Sequence, residues 1–294
     1  KYMSDLALNN GNQMPTIGLG TWQSERDKVG EAIEFAVLKA GYRHIDCASV
    51  YANEKKIGDA FTKIFSKGQI KREELFVTSK LWNTDHHPKQ VEKACRKTLK
   101  DLRLDYLDLY LVHWALALTP LGKLALVPLH ETWSAMEALV EKGLVKSIGV
   151  ANFTTIMLVD LLTYAKIQPA TNQIEIHPYL TQERLVAYCQ KKEIQVTAYS
   201  PLGSSNGTSM LLNDNVIEEI AGTHNKTPAQ ILIKWSLQLG LITIPKSTNP
   251  DHISQNINID DFELSEKDMS AISALNKDQR FIDPMDWWNI PCFS

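Results

Sequence analysis

Short apolar runs alternate with longer segments of helical spacing along nearly the whole chain. Between the runs, apolar residues recur at helical intervals, as at Val91, Cys95, Leu99 and Leu102. The pattern predicts eight strands, at Thr16–Leu19, Tyr42–Ile45, Leu75–Ser79, Leu107–Val112, Val145–Val150, Ala170–Ile176, Gln195–Tyr199 and Leu241–Ile244. Eight successive β–α units favour a parallel (β/α)8 TIM barrel over an open sheet, built as one domain over residues 1–294.

Further elements are predicted before and after the barrel. The Asn10-Gly11 pair predicts a short hairpin near the N-terminus. Thr227 before Pro228 is typical of a helix start, with threonine as the N-cap and proline at the first turn. After the last strand come a helix around Ser265–Leu275 and an aromatic tail from Phe281 to Ser294, which we expect over the active-site face.

Four polar residues lie at or just after the ends of three consecutive predicted strands: Asp46, Tyr51, Lys80 and His113. Barrel strands end at a common face, so these side chains are expected to converge there. Tyr51 is a candidate general acid whose pKa a nearby Lys80 ammonium would lower, with Asp46 holding Lys80. His113 is expected to orient a carbonyl group. None of these groups supplies electrons, so reduction requires a hydride source.

Composition narrows the classes of partner. The 294 residues are 44% hydrophobic, and the formal net charge of −3 offers no electrostatic reason to expect nucleic acid or a membrane surface as partner. The four cysteines form no Cys-x-x-Cys pair, and no signal-peptide or membrane-spanning stretch is evident, so a cytoplasmic location is expected. No His, Asp and Glu set has convincing metal-ligand spacing.

Other motifs support cofactor and pocket hypotheses to different degrees. Gly18-Leu19-Gly20 begins like a dinucleotide fingerprint but lacks the third glycine and the helix that should follow, which disfavours a Rossmann fold. Lys246-Ser247 precedes a short predicted helix, Pro250–Asn256, and is either a phosphate site or a surface turn with a capping serine. Tryptophans at loop positions (Trp22, Trp82, Trp114, Trp287 and Trp288) suggest an apolar pocket wall.

The chain resembles the aldo-keto reductase family. The residues that carry the likeness are Gly41-Tyr42-Arg43-His44-Ile45-Asp46 with Tyr51, Lys80-Leu81-Trp82, His113-Trp114, Ser147-Ile148-Gly149-Val150-Ala151-Asn152-Phe153, Asn172-Gln173-Ile174-Glu175 and Ile244-Pro245-Lys246-Ser247. The resemblance implies a barrel that binds an extended NAD(P)H and transfers hydride to an aldehyde or ketone without a metal.

The resemblance also implies roles for individual residues. Asp46, Tyr51, Lys80 and His113 match the catalytic tetrad, with Tyr51 as the acid. The implied cofactor contacts are Thr21, Trp22 and Asp46 at the reactive end, Asn152 and Gln173 at the carboxamide, Tyr199 on the nicotinamide face, Ser200 and Leu202 at the pyrophosphate, and Lys246, Ser247, Gln255 and Asn256 at the adenosine 2′-phosphate and adenine. The implied substrate contacts are Trp22, Trp82, His113, Trp114, Trp287 and Asn289.

The tail from Arg280 to Pro291 resembles the ending of xylose reductases, and its second half also resembles plant aldose-6-phosphate reductases. An aldehyde or aldose is therefore the expected substrate. The protein is expected to be a monomer or dimer. Three positions depart from the family pattern. Ala151 replaces a serine at the carboxamide and His252 an arginine at the 2′-phosphate, so NADPH is expected with NADH as an alternative. Val50 replaces an acidic residue that some sugar reductases carry, which weighs against a sugar substrate. A hydroxysteroid or ketone reductase and a non-turnover nucleotide-sensing barrel are the competing functions.

Overall fold

The computed structural model describes residues 5–204 and 206–293, and it opens with a β-hairpin. Strands β1 (Asp5–Ala7) and β2 (Gln13–Pro15) pair antiparallel. Gly11 turns the chain at φ +86°, where glycine has no steric penalty, and its N–H donates to the Leu8 carbonyl at 2.9 Å. Leu8 and Met14 are buried in one apolar cluster with residues of the strands that follow, including Leu109. The hairpin therefore closes the N-terminal end of the sheet.

Eight parallel strands form the centre of the fold. They are β3 (Leu19–Gly20), β4 (His44–Asp46), β5 (Phe76–Leu81), β6 (Leu107–Val112), β7 (Val145–Ala151), β8 (Thr171–Glu175), β9 (Gln195–Tyr199) and β10 (Ile242–Thr243). Each pairs with its neighbour in chain order. Parallel bridges from Ile17 to Thr243 and from Gly20 to Lys246 join the first strand to the last. The sheet closes into a barrel, which confirms the predicted fold class.

The close contact between the first and last barrel strands, which we call the seam, requires a glycine at the end of β3. A Cβ on Gly20 would lie 2.8 Å from the Ile244 carbonyl oxygen, too close for any side chain. β3 and β10 are also shorter than predicted, because at the seam single bridges replace part of the ladder. The other strand bounds lie within two residues of the prediction.

Helices surround the barrel. They are α1 (Val29–Phe35), α2 (Glu54–Ser66), α3 (Pro88–Leu102), α4 (Leu129–Glu141), α5 (Thr155–Tyr164), α6 (Glu183–Lys191), α7 (Asn206–Leu212), α8 (Asn215–His224), α9 (Pro228–Gln238), α10 (Pro250–Ile257), α11 (Glu266–Ser273) and α12 (Met285–Trp288). α1 continues as a π-helical turn, Ala36–Ala40. Thr227 caps α9 as predicted, since its Oγ1 accepts from the Gln230 N–H at 3.2 Å. Ser265 caps α11 in the same way, so the predicted Ser265–Leu275 helix begins one residue later and ends two residues earlier than expected.

The core lies between the outward faces of the strands and the helices, where Phe61, Trp133 and Trp235 are almost completely buried. Three segments extend over the C-terminal face of the barrel. The segment after β6 forms a small hairpin through a bridge between Leu118 and Leu124. The other two are the loop after β9 and the tail; Ser205 in that loop and Ser294 in that tail lie outside the described residues. Among the described helices, none is long and apolar enough to cross a membrane.

Candidate active site

Strands β4, β5 and β6 bring the four predicted strand-end residues together. Lys80 Nζ lies 2.5 Å from Asp46 Oδ2, 2.9 Å from the Cys47 carbonyl oxygen and 3.4 Å from the Tyr51 hydroxyl. The Tyr51 and His113 rings meet edge to face at 6.0 Å between centroids. The ammonium of Lys80 therefore connects a carboxylate on one side with a phenol on the other.

Hydrogen bonds to backbone and side chains hold this group in place. Gln173 Nε2 donates to the second oxygen of Asp46 at 2.7 Å, and Thr21 Oγ1 donates to the Asp46 carbonyl at 2.7 Å. Tyr51 closes a 3₁₀ turn, Ser49–Tyr51, and Ser49 Oγ donates to the Lys80 carbonyl at 3.2 Å. Because both Asp46 oxygens are engaged, the carboxylate is fixed as the partner of Lys80 rather than presented as a free base.

Burial controls the proton affinities of Tyr51 and Lys80. Burial raises the pKa of Tyr51 to about 12, and the opposing charge of Lys80 only partly offsets that effect. The charge of Lys80 lowers the pKa of Tyr51 as predicted, but burial has the larger effect, so the net shift is upward. Burial alone lowers the pKa of Lys80, but the nearby Asp46 and Tyr51 charges outweigh it, so the net shift is upward. Lys80 is charged and Tyr51 protonated at neutral pH.

His113 is neutral in this environment. Burial, reinforced by the positive charge of Lys80, holds the pKa of His113 well below its usual value of 6.5. Its Nδ1 is buried without a hydrogen-bond partner among the described residues, while the ring itself lines a cavity. A neutral imidazole carries one N–H. We assign that proton to Nε2 because this tautomer places a donor at the cavity.

A cavity of about 580 Å³ opens at the C-terminal ends of the strands and contains the reactive groups. Many of the residues predicted for the site line it, namely Thr21, Trp22, Asp46, Tyr51, Trp82, His113, Trp114, Asn152, Gln173, Tyr199, Ser200, Leu202, Lys246 and Trp287. Lys80 lies behind this lining and is fully buried. The position agrees with the general location of active sites in barrel enzymes.

Asn152 ties three parts of the site together. It follows β7 in the left-handed region at φ +63°. Its Nδ2 donates to the His113 carbonyl at 2.9 Å, and its Oδ1 accepts from the Tyr199 hydroxyl at 2.8 Å. The amide thus fixes the Tyr199 ring relative to the strand end that carries His113.

The model of the Aldo/keto reductase family matches residues 16–277. The chain belongs to the aldo-keto reductase family. The predicted enzyme class, an oxidoreductase of the aldo-keto reductase type, is confirmed together with the barrel fold.

Similar proteins cover nearly the full length of this aldo-keto reductase. Aldo-keto reductase family 1 member A1 of Gallus gallus is 50% identical over 95% of the chain and 91% of the relative. Aldose reductase B of Dictyostelium discoideum is 50% identical over 96% and 95%. The crystal structure of the Bombyx mori aldo-keto reductase in complex with NADP superposes with a TM-score of 0.94, at 40% identity, over 100% of this chain and 99% of that one.

Besides Lys80, four residues expected in the site do not line the cavity. Ser247, Gln255 and Asn256 lie on or just before α10, where Asn256 is buried and Gln255 exposed. Asn289 ends α12 in the left-handed region at φ +54° and is exposed. Their roles toward cofactor and substrate stay predictions.

The start of α10 is capped by Asn249. Asn249 Oδ1 accepts from the N–H groups of Asp251 at 2.8 Å and His252 at 3.3 Å. Ser247 does not cap the helix itself, but its Oγ accepts from the Asn249 N–H at 3.1 Å, as in the predicted turn with a capping serine. Since those two helix donors are already used, the Lys246 ammonium is the group next to the cavity that can attract a phosphate.

Several lining residues were not in the predicted site. They are Gly20, Gln23, Val50, Pro201, Gly203, Ser204, Thr208, Ile244, Pro245, Ile282 and Trp288. Two of them could have been found from the sequence. Trp288 is one of the loop tryptophans, and Val50 departs from the family pattern. Ile282 could not have been found from the sequence, because no neighbouring residue distinguishes it from a core isoleucine.

An aromatic wall forms one side of the cavity mouth. The Trp288 ring lies 5.9 Å from Trp82 and 5.4 Å from Trp114, and Trp287 lies 6.2 Å from Trp114. Trp82 also meets the His113 ring at 5.2 Å. We call Trp82, Trp114, Trp287 and Trp288 the aromatic wall. Strand-end loops supply two of these rings, and the tail supplies the other two.

A larger open cleft, of about 1100 Å³, lies at the opposite end of the barrel. Residues of both charge signs line it, among them Arg43, Asp108 and Lys146. None of the four catalytic candidates, Asp46, Tyr51, Lys80 and His113, lines it. Among the described residues, no three His, Cys, Asp or Glu side chains cluster closely enough to hold a metal ion. The chemistry of the smaller cavity makes it the candidate active site.

Proposed function

We propose that this aldo-keto reductase reduces the carbonyl group of an aldehyde or aldose to the alcohol, with NADPH as cofactor and Tyr51 as general acid. The observation that carries the proposal is the placement of Lys80 Nζ between Asp46 and the Tyr51 hydroxyl, at 2.5 and 3.4 Å, beside a neutral His113 in one cavity. A proton donor, a charge that stabilises its conjugate base and a hydrogen-bond donor for a carbonyl oxygen all meet there.

The residues around the tetrad suit a nicotinamide. Gln173 uses its Nε2 on Asp46, which leaves its amide oxygen as an acceptor for a carboxamide N–H. Asn152 presents a second amide, and Tyr199 an aromatic ring, to the same cavity. Bound NADPH supplies the hydride that no side chain can provide.

The side chains carry the proton. Tyr51 donates its hydroxyl proton to the carbonyl oxygen as that oxygen becomes the alcohol, which leaves a phenolate on Tyr51. Lys80 stabilises this phenolate, and Asp46 keeps the ammonium in position. His113 donates its Nε2 N–H to the same carbonyl oxygen and fixes its direction. Positioned proton transfer of this kind contributes about 10²–10⁴-fold to the rate.

Two observations support NADPH over NADH. Lys246 brings a positive charge to the rim of the cavity, and the Bombyx mori relative was solved with NADP. His252 is exposed on α10, and an imidazole there lacks the two-pronged set of N–H donors that the usual arginine offers a phosphate. We therefore propose a preference for NADPH that is weaker than an arginine would give.

The cavity wall supports an aldehyde or sugar of moderate size. The aromatic wall provides apolar faces, while Asn152, Gln173 and His113 provide polar groups at the reactive end. Aldose reductase B of Dictyostelium discoideum supports an aldose as one substrate. A cytoplasmic location and a monomeric or dimeric state stay predictions.

A steady-state assay tests the proposal. Oxidation of NADPH and of NADH is followed with xylose, glyceraldehyde and a steroid ketone. We expect NADPH oxidation with glyceraldehyde and xylose, faster than with NADH and faster than with the steroid ketone. Absence of NADPH and NADH oxidation with every carbonyl compound would refute the function. A preference for the steroid ketone would favour a hydroxysteroid or ketone reductase over an aldehyde or aldose reductase.

A further inference from the structure

A buried carboxylate on the barrel holds the start of the tail. Glu175, the last residue of β8, is completely buried. Its Oε1 accepts from the Phe281 N–H at 2.7 Å, and its Oε2 accepts from the Ile282 N–H at 3.0 Å. His177 Nε2 lies 2.8 Å from Oε1. The two N–H groups belong to residues more than 100 positions further along the chain, so this carboxylate fixes where the tail crosses the barrel face.

The tail carries cavity residues directly after this attachment. Ile282, whose own N–H is bound, lines the cavity, and Trp287 and Trp288 follow on α12. Arg280 lies 3.9 Å from Glu175 Oε2 and stacks at 3.7 Å on the Phe293 ring. The position of the tail side of the cavity therefore depends on Glu175.

The aromatic ring at the attachment point is enclosed tightly. Phe281 packs against the His177 ring at 4.8 Å between centroids. On its other side lies Gly207 of α7, where a Cβ would come within 2.4 Å of the Phe281 ring. This arrangement leaves the ring no room to move toward α7. Hydrogen bonds thus fix the backbone of Phe281 and Ile282, and ring packing fixes the Phe281 side chain as well.

We propose that Glu175 is a positioning residue for substrate binding, which acts through the tail and not through the reacting atoms. This inference deepens the proposed reductase function and rests on it. Glu175 holds Phe281 and Ile282, and these hold the tail-borne tryptophans against the substrate. Its loss should weaken the binding of substrates that contact the tail while leaving the Tyr51 chemistry in place.

The test is Glu175→Gln, which keeps the shape but turns one acceptor into an amide N–H donor facing a backbone N–H. We expect KM for 4-nitrobenzaldehyde to rise about tenfold, with kcat and the NADPH dissociation constant changed less than about twofold. KM for the smaller glyceraldehyde should rise less, because it covers less of the tail surface.

Glu137→Gln is the matched control. Glu137 is also buried, and its Oε1 accepts from two consecutive backbone N–H groups, Lys166 at 2.7 Å and Ile167 at 2.9 Å. Neither Glu137 nor its partners line the cavity. This variant should leave KM for 4-nitrobenzaldehyde at the wild-type value even if it lowers stability.

Trypsin cleavage gives a readout that needs no activity. The bond after Arg280 leads into the bound Phe281 N–H, so Glu175→Gln should be cut there faster than wild type and faster than Glu137→Gln, with the cut located by mass spectrometry. If Glu175→Gln does not fold, Gly207→Ala displaces Phe281 without touching the carboxylate and should give the same KM and cleavage pattern.

The outcomes separate this inference from the proposed function. Unchanged KM and unchanged cleavage in a folded Glu175→Gln or Gly207→Ala variant would overturn the positioning role. So would a loss in which kcat and NADPH binding fall together with substrate binding, because that indicates general disruption. A wild-type protein that reduces no carbonyl refutes the function, while cleavage still reports whether Glu175 holds the tail.

Discussion

The strand-end tetrad and the aromatic wall face the same cavity but are built differently. Lys80 and Asp46 are buried, and hydrogen bonds of 2.5–2.9 Å join them to each other, to the Cys47 carbonyl after β4 and to Gln173 on β8. The aromatic wall is held by ring contacts between loops and tail at 5.4–6.2 Å, and Trp287 is 51% exposed. The comparison supports the proposal that the barrel carries the chemistry and the tail the fit of the substrate. Changes in the tetrad should lower kcat, and changes in the wall should raise KM.

The largest effect is expected from Lys80→Met. Without the ammonium, the Tyr51 phenolate loses its stabilising charge, and kcat for glyceraldehyde reduction should fall about 10²–10⁴-fold. Removing one partner also leaves the buried Asp46 carboxylate unpaired, which should lower the free energy of unfolding by about 3–5 kcal/mol. Steady-state kinetics and urea unfolding measure the two effects.

The double variant Asp46→Asn with Lys80→Met separates stability from catalysis. It removes both charges, so most of the lost stability should return while activity stays low. A Lys80→Met enzyme with kcat within about tenfold of wild type would contradict the role given to Lys80.

Trp288→Ala, in the aromatic wall, should produce a smaller effect, and that effect should be on KM. Truncation removes the ring that contacts Trp82 and Trp114, so KM for 4-nitrobenzaldehyde should rise about tenfold, because burying a large apolar side chain is worth about 1.5–3 kcal/mol. kcat should stay close to wild type. Ile156→Ala, at a residue 75% exposed on α5, serves as the control and should change neither constant. A fall in kcat with unchanged KM would reverse the division between wall and tetrad.

The convergence of the tetrad could be predicted from the sequence because it follows from short local patterns. Asp46, Lys80 and His113 each end a short apolar run, and parallel strands in a barrel bring such ends to one face. The position of the tail depends instead on the bond from Glu175 to Phe281 and Ile282, which no local pattern reveals. Asn289 was expected at the substrate from the resemblance of the tail, whereas Trp287, Trp288 and Ile282 are the tail residues that line the cavity. The net pKa shift of Tyr51 likewise depends on burial that a sequence does not show.

His252→Arg should have a modest effect, outside both regions. An arginine at this exposed position on α10 can bind the 2′-phosphate through two N–H groups, so the ratio of kcat/KM for NADPH to that for NADH should rise about tenfold. Thr223→Arg adds the same charge to an exposed position on α8 and should leave the ratio unchanged. An unchanged ratio in His252→Arg would remove this position from the cofactor site.

The smallest effect is expected from pH near neutrality. Tyr51 must keep its proton to act as acid, and its pKa of about 12 means that only strongly alkaline pH removes it. His113 must stay neutral, and its lowered pKa means that only acid pH charges it. Thus kcat/KM should stay level from about pH 7 to about pH 9, fall at higher pH as Tyr51 ionises, and fall at low pH as His113 gains a proton. A bell-shaped profile centred near neutral pH would contradict these assignments.

The central claim is that Tyr51 supplies the proton in a hydride-transfer reaction. The most direct test compares wild type with Tyr51→Phe for glyceraldehyde reduction by NADPH, together with the NADPH dissociation constant measured by fluorescence. We predict a loss of at least about 10²-fold in kcat with the dissociation constant within about twofold of wild type. Retained activity, or a loss of NADPH binding that accounts for the loss of activity, would contradict the claim.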